Sequence, residues 1–220
     1  MADNLENNPE RTAKKPAKAL ALISSGIDSP VAAWLMRKRG MDLVGVHFDN
    51  SQPGGPKISG RVGELCRMTG IKRLYVVKHG LSMGSAVKSI NRRFTCLVCR
   101  RLMFRIAERI AEKEGCDFIV TGENLGQVAS QTLDNMAVVS KAVKMPILRP
   151  LLCNDKQETV DLAKDIGTYS ISTEKGESCS LVPHNPATRA RLSSVDEEEG
   201  RIGISRIIEA RMNDMEAIKP

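Results

Sequence analysis

A chain of 220 residues with a formal charge of +7 suits one α/β domain with a real apolar core and leaves too little for two full domains. The basic balance favours an anionic partner, nucleic acid or a nucleotide phosphate, while an aromatic content of 3% argues against a stacking platform for single-stranded bases. No run approaches the ~20 apolar residues of a membrane span, and six cysteines without a secretory signal point to a reducing compartment, the cytoplasm, rather than to a disulfide framework.

Residues 1–18 are polar, rich in Asn, Lys and Pro, and read as a disordered basic leader. Residues 19–23 form a first strand. A helix follows, with Pro30 in its first turn, Val31, Ala32, Leu35 and Met36 on its apolar face, and Gly40 as its stop. Residues 43–48 read as a second strand, 50–57 as a Pro/Gly loop, 58–69 as a helix and 73–77 as a third strand. Then come a strongly amphipathic helix over 99–114, a strand at 118–120, a helix over 127–138 and a short strand at 146–148. Asp155 caps a further helix that runs to Ile166 and is stopped by Gly167. The alternation predicts an α/β fold: a doubly wound, mostly parallel sheet with helices on both faces. Residues 168–191, rich in Ser, Thr, Pro and Gly, read as an ordered loop or arm that closes a domain over 19–191. Ser194 and Glu197 have capping-box spacing, which predicts a helical extension over 192–220.

The segment Leu22-Ile23-Ser24-Ser25-Gly26-Ile27-Asp28-Ser29 falls at the first strand-to-helix turn, on the carboxyl edge where doubly wound sheets bind ligands. Small residues let the backbone approach a phosphate, and free amides with the helix dipole attract it. The hydroxyls of Ser24, Ser25 and Ser29 add donors. Asp28 would repel a bare phosphate, so it makes sense beside Mg²⁺ or a positioned donor. The spacing is not that of the G-x-x-x-x-G-K-[ST] loop. It resembles the S-G-G-x-D-S signature of PP-loop ATP-pyrophosphatases, with Ser25 in place of the first glycine; the plain alternative is a structural turn.

A closer resemblance is carried by Thr121-Gly122-Glu123-Asn124-Leu125-Gly126-Gln127-Val128-Ala129-Ser130-Gln131-Thr132, by Leu148-Arg149-Pro150-Leu151, by Asp155-Lys156 and by Ile166-Gly167-Thr168-Tyr169. In this order they resemble the tRNA 4-thiouridine synthetases, or tRNA sulfurtransferases, over about residues 19–191. The resemblance implies an adenine nucleotide alpha hydrolase-like fold that uses ATP to adenylate O4 of a tRNA uridine, releases pyrophosphate and replaces that oxygen with sulfur. It implies that Leu22, Ile23, His47 and Phe48 flank the adenosine and that Arg100, Gly122 and Gln131 complete the nucleotide site, with Lys156 reaching the tRNA. The plainer alternatives are an edge-of-sheet histidine for His47, core for Phe48, a surface charge for Arg100 and a turn for Gly122. Fuller members carry ferredoxin-like, THUMP and rhodanese segments that this chain is expected to lack, so that tRNA capture falls to a partner chain or a homodimer.

Cys96-Leu97-Val98-Cys99 puts two thiols near a helix start, where the dipole favours thiolates. Alone, the pattern fits a zinc site, a redox pair or two thiols on one face; without a second pair or a suitably spaced histidine, zinc is disfavoured. In archaeal-type members of the family such a pair joins a cysteine at the place of Cys179 to hold an iron–sulfur cluster. The alternatives are a persulfide on Cys179, delivered with the pair as resolving thiols, and merely structural thiols. The sulfur donor is sulfide or a persulfide carrier. Cys66, Cys116 and Cys153 read as buried core. Arg92 and Arg93, with Arg100, Arg101 and Arg105, surround the pair as a solvated face or as contacts to tRNA phosphates. Two rivals stand beside thiolation: a PP-loop ligase adenylating a small molecule, and a non-catalytic nucleotide- or metal-binding subunit.

Overall fold

A computed structural model describes residues 15–50, 60–174 and 179–220. The expected leader up to residue 14, the Pro/Gly loop from residue 51 and the start of the following helix lie outside the described residues. In chain order the elements are β1 (Lys18–Leu22), α1 (Asp28–Lys38), β2 (Asp42–Asp49), α2 (Gly60–Met68), β3 (Leu74–Lys78), α3 (His79–Ala86), α4 (Thr95–Glu114) and β4 (Phe118–Val120). They continue with α5 (Leu133–Ser140), β5 (Ile147–Leu148), α6 (Lys156–Asp165), α7 (Tyr169–Thr173), α8 (Leu192–Gly200), α9 (Ile204–Asp214) and β6 (Glu216–Ile218).

The sheet order is β5-β4-β1-β2-β3-β6. The first five strands are parallel, and β6 returns antiparallel along β3, Leu74 opposite Ile218. Alternate residues of each strand feed two apolar layers, as the period of a strand requires. Leu20, Val44, Val46 and Val77 pack with Val98, Leu102, Ile106 and Ile110 of α4, which recur every fourth residue and so form one stripe. Ala19, Ala21, Leu43 and Val76 face the other way, onto Val31 and Ala32 of α1, Val62 and Cys66 of α2, and Ala163 of α6.

The structure corrects several expectations. The helix over 127–138 is two pieces: a 3-10 turn at Ala129–Gln131, then α5. Thr132 is extended between them and caps α5 by accepting from the amide of Asn135 at 3.3 Å, so the regular helix cannot begin earlier. Helix α8 opens at Leu192 with Arg191 at its cap, and Ser194 caps nothing. The amide of Ala190 is held by Asn135 Oδ1 at 3.0 Å, which sets the entry point a turn sooner. Helix α4 also starts a turn early, at Thr95, so Cys96 and Cys99 both lie in its opening turns. Cys66 and Cys116 are buried as expected, but Cys153 is exposed, because Leu151 takes the core position in the turn after β5. Among the described residues, no helix is long and apolar enough to cross a membrane.

At the amino edge of the sheet, Glu114 accepts from Tyr75 Oη at 2.5 Å, Arg73 Nη1 at 2.8 Å and Lys18 Nζ at 3.1 Å. Burial pushes its pKa up, but these donors outweigh burial and hold the carboxyl at about 2, against an ordinary 4.5. A carboxyl lowered by folding contributes fully above its unfolded pKa and loses that contribution as pH falls from 4.5 toward 2. Arg73 is 60% exposed and screened by water, so we expect this site to supply about 2 kcal/mol at neutral pH. Chemical denaturation of the wild type and Glu114→Gln should differ by about that much at pH 7 and by little near pH 2.

Candidate active site

β1 is central, with β2 on one side and β4 on the other, so the winding reverses between β1 and β4. Loops leaving the carboxyl ends of two such strands diverge and open a crevice, the usual ligand site of this architecture. Here they are residues 23–27 after β1 and residues 121–126 after β4.

The first loop is wound around two hydroxyls. Ser29 Oγ accepts from the Ser24 amide at 2.8 Å and lies 3.0 Å from Ser24 Oγ, which accepts from the Gly26 amide at 3.3 Å. Helix α1 has Ile27 at its cap and no side-chain cap, so its first amides face the crevice mouth as free donors. Asp28 opens α1 and accepts from Lys156 Nζ at 2.6 Å. Lys156 is fixed by its own helix start: Asp155 accepts from the Gln157 amide at 2.7 Å while Glu158 accepts from the Asp155 amide at 3.0 Å, a complete capping box.

The second loop touches the first through Gly122. A Cβ there would stand 2.7 Å from the Asp28 carbonyl carbon and the Ser29 nitrogen, both backbone atoms that cannot swing aside. A Cβ on Gly26 would meet only Ser24 Oγ, at 3.5 Å. The two glycines should therefore answer differently. Gly122→Ala is expected to force β4 and α1 apart, lowering stability by about 1–3 kcal/mol together with nucleotide affinity. Gly26→Ala is expected to leave the melting temperature unchanged and weaken ATP binding alone. Melting curves and nucleotide titrations of the two variants check this.

His47 Nδ1 lies 2.9 Å from the Ile23 carbonyl. A carbonyl only accepts, so Nδ1 carries the proton, and burial lowers the ring's pKa below 6.5 against the opposing pull of that carbonyl and Asp49. The ring is then neutral, with Nε2 an acceptor. Leu22 is half-buried and Ile23 buried. The Phe48 ring is in the core, edge-on to His79 at 5.5 Å between ring centroids, and does not line the crevice. Its backbone is placed otherwise. The Val46 carbonyl accepts from Ile23 at 2.8 Å, and Phe48, two residues on, faces the same side just past the end of β1. Gln131 Oε1 and Arg100 Nε are buried without partners, the kind of orphan a ligand satisfies. Arg100 is ion-paired with Glu123, which also accepts from Arg149 Nε at 2.8 Å.

The thiols stand on the adjoining end of α4. Cys96 and Cys99 are half-buried and Cys179 is exposed. Burial pushes the Cys99 thiol up to about 12 and raises Cys96 as well; the charge of Cys179 raises both and Arg100 lowers both. Cys179 is thus within electrostatic reach of the pair. The arm behind it is laid across the turn that leads into α4 and across α5: the Ala187 amide donates to the Arg93 carbonyl at 3.0 Å, and Asn135 Nδ2 donates to the Ala187 carbonyl at 2.8 Å. Residues 175–178, just before Cys179, lie outside the described residues. Among the described residues, no three His, Cys, Asp or Glu side chains already surround one point as metal ligands would. The donor set nevertheless suits a cation, since each thiolate would repel the next and a cation relieves that repulsion.

The basic run divides in two. Arg92 and Arg93 are exposed beside the cysteine helix. Arg101 is 2% exposed and donates from Nε and Nη2 to Glu199 at 2.9 and 2.8 Å, while Arg105 Nη2 reaches the same carboxylate at 2.7 Å. These two arginines fasten α8 to α4 and are not a solvated or phosphate-facing surface.

Sequence reasoning overlooked three side chains. His79 is fully buried, with Nε2 3.1 Å from Cys99 Sγ; nothing in its local pattern signals that contact. Glu123 and Arg149 sit inside the quoted motifs, and an acid and a base in two separate motifs were the signal that they meet.

The profile of a family described as "Thiamine biosynthesis protein (ThiI)" matches residues 15–204. A probable tRNA sulfurtransferase of Finegoldia magna is 39% identical over 208 residues, 92% of this chain and 53% of the relative. One from Methanocaldococcus jannaschii is 44% identical over 183 residues, 81% of this chain and 48% of the relative. The chain spans about half the length of the curated relatives it matches. Among solved structures, a 4-thiouridine synthetase–RNA complex with bound ATP superposes with a TM-score of 0.85 at 35% identity, over 92% of this chain and 55% of that one. The U34-tRNA thiolase NcsA of Methanococcus maripaludis, solved with its [4Fe-4S] cluster, shares the fold at a TM-score of 0.56 and 19% identity, over 90% of this chain and 71% of that one. With its family profile matched across residues 15–204 and relatives near two-fifths identity, the chain belongs to the ThiI family.

Proposed function

We propose that this chain carries the adenylating and sulfur-transferring centre of a cytoplasmic tRNA 4-thiouridine synthetase, with residues 19–191 as its catalytic domain and 192–220 as a helical extension. The observation that carries the reading is the link from the open phosphate loop and its Asp28–Lys156 pair, through Gly122 and Glu123, to Arg100 beside the thiols. The 35% identical neighbour with bound ATP and RNA supports it.

ATP lies across the β1/β4 crevice. His47 Nε2 and the Phe48 backbone face the adenine, and Leu22 and Ile23 floor it. Arg100 and Gln131 use their unpartnered atoms on the nucleotide. The hydroxyls of Ser24, Ser25 and Ser29, with the free amides of α1, receive the phosphates, and Gly26 lets them come close. Lys156 turns from Asp28 to the phosphate charge. Asp28, a half-exposed carboxylate at the loop mouth, is a fitting ligand for Mg²⁺, which would neutralise the triphosphate. The uridine O4 attacks the α-phosphorus in line, N3 releases its proton to solvent, and pyrophosphate departs into the loop; positioning and charge stabilisation are what the chain supplies. Cys96, Cys99 and Cys179 would hold an iron–sulfur cluster, which would supply sulfur to the activated uridine as hydrosulfide. Arg92 and Arg93 touch tRNA phosphates, with further grip from a partner chain or a second copy. Sulfide or a persulfide carrier is the sulfur donor.

The test uses tRNA, α-labelled ATP and sulfide. Label transferred to tRNA, followed by 4-thiouridine in its nucleoside digest, is the expected result. Label on a small molecule, or hydrolysis that ignores tRNA, would overturn it.

A further inference from the structure

Glu123 follows the glycine that touches the phosphate loop, and its side chain is 1% exposed. A carboxylate so deep needs paired cations, and it has two. Arg149 donates from Nε to Glu123 Oε2 at 2.8 Å and from Nη2 to Ser140 Oγ at 2.9 Å, so its guanidinium is engaged at both ends. Arg100 donates from Nη2 to Glu123 Oε1 and leaves Nε buried without a partner. Two guanidiniums against one carboxylate leave a net positive charge, and Arg100 is the one with donors to spare. On α4 it follows Cys99 directly and lies one turn beyond Cys96, on the same helix face. Its guanidinium is thus within electrostatic reach of Cys96 and Cys99 while bound to Glu123, the residue after the glycine that touches the phosphate loop.

We propose that Arg100 acts in the exchange of sulfur for adenylate, balancing the charge on AMP as it leaves, and that Glu123 and Arg149 are positioning residues that hold it there. This rests on the chain adenylating a tRNA uridine. In that exchange hydrosulfide adds through sulfur to C4 of the O4-adenylated uridine. The C4–O4 bond breaks, and its electron pair departs on O4 as part of AMP, which gains one negative charge. The hydrosulfide proton passes to N3, leaving 4-thiouridine. The carbon attacked is the carbon departed from, so the phosphate leaves beside the approaching sulfur. A cation within reach of the thiols and bound to Glu123 meets that growing charge, which is absent from the bound ground state.

The experiment follows two products in one reaction: AMP label on tRNA, and 4-thiouridine after sulfide is added. Arg100→Lys, Glu123→Gln and Arg149→Lys are expected to lower the ratio of 4-thiouridine to adenylated tRNA by about 100-fold, whatever each does to the rate of adenylation itself. The combination of Arg100→Lys with Arg149→Lys should be no worse than Arg100→Lys alone, because Arg149 acts only through Arg100. Should Glu123→Gln fail to fold, Arg149→Lys, which keeps the charge and loses the fork, carries the test. An unchanged product ratio in folded variants overturns the proposal and leaves adenylation standing. A wild type that puts no label on tRNA sinks both.

Discussion

Replacing Asp28 with Asn is expected to lower adenylate formation about a thousandfold, at the upper end for a single lost electrostatic partner, while the fold stays within about 1 kcal/mol of wild type. The stability half follows from position. Asp28 is the first residue of α1, its side chain is 26% exposed, and it pairs with the half-exposed Lys156. Losing a charge there forfeits only its interaction with the helix dipole and a solvent-screened ion pair. The activity half follows from charge. The loop around Asp28 is otherwise built to attract anions, and an acid at its mouth is unfavourable to phosphate unless it manages a cation. Lys156→Met should fall nearly as far. The double variant should be little worse than either single one, because the two groups act as a unit. Adenylation near the wild-type rate by Asp28→Asn, at an unchanged melting temperature, would remove this residue from the chemistry.

The parts of this protein legible in its sequence are those in which a local pattern is also the cause. Strands β1 to β3 announce themselves as apolar runs because a strand buried on both faces has no polar side to show. Asp155 and Glu158 read as a helix start because they are the cap, each satisfying the other's backbone. Gly40 reads as a stop because its φ of 85° is one that few other residues adopt. What escaped is made by distant partners. Strand β6 is three residues, Glu-Ala-Ile, and exists because the edge of β3 offers it a ladder. Arg101 looks like a surface charge until Glu199, nearly a hundred residues on, folds over it. His79 carries no local mark of Cys99. At the site, the phosphate loop and the Thr121–Thr132 motif were visible separately. Only the topology brings Gly122 against Asp28, and only the folded chain shows Lys156 on that same aspartate.

Protein prepared without oxygen is expected to be brown and to contain iron and sulfide, and to lose both when Cys96, Cys99 or Cys179 is replaced by Ala. Cys179 shares an electrostatic neighbourhood with both other thiols, and the arm behind it is tied down beside them through Ala187 and Asn135. Left alone, Cys99 is pushed up to about 12 by burial, so at neutral pH it stays protonated and is a poor nucleophile or persulfide carrier. A bound cation reverses that balance and makes the buried thiol useful, which is why iron content is informative before any activity is measured. The other three cysteines are the controls. Cys153→Ser should change nothing, since that side chain is exposed. Cys66→Ser should cost about 1–3 kcal/mol, because a hydroxyl replaces a fully buried thiol, yet it should leave iron binding intact, as should Cys116→Ser. Activity cannot separate a cluster from persulfide chemistry, since both need the same three thiols. If iron fails to bind and the protein still thiolates tRNA from a persulfide donor, the cluster is wrong. Cys179 then carries the sulfur, and the Cys96 and Cys99 pair resolves it.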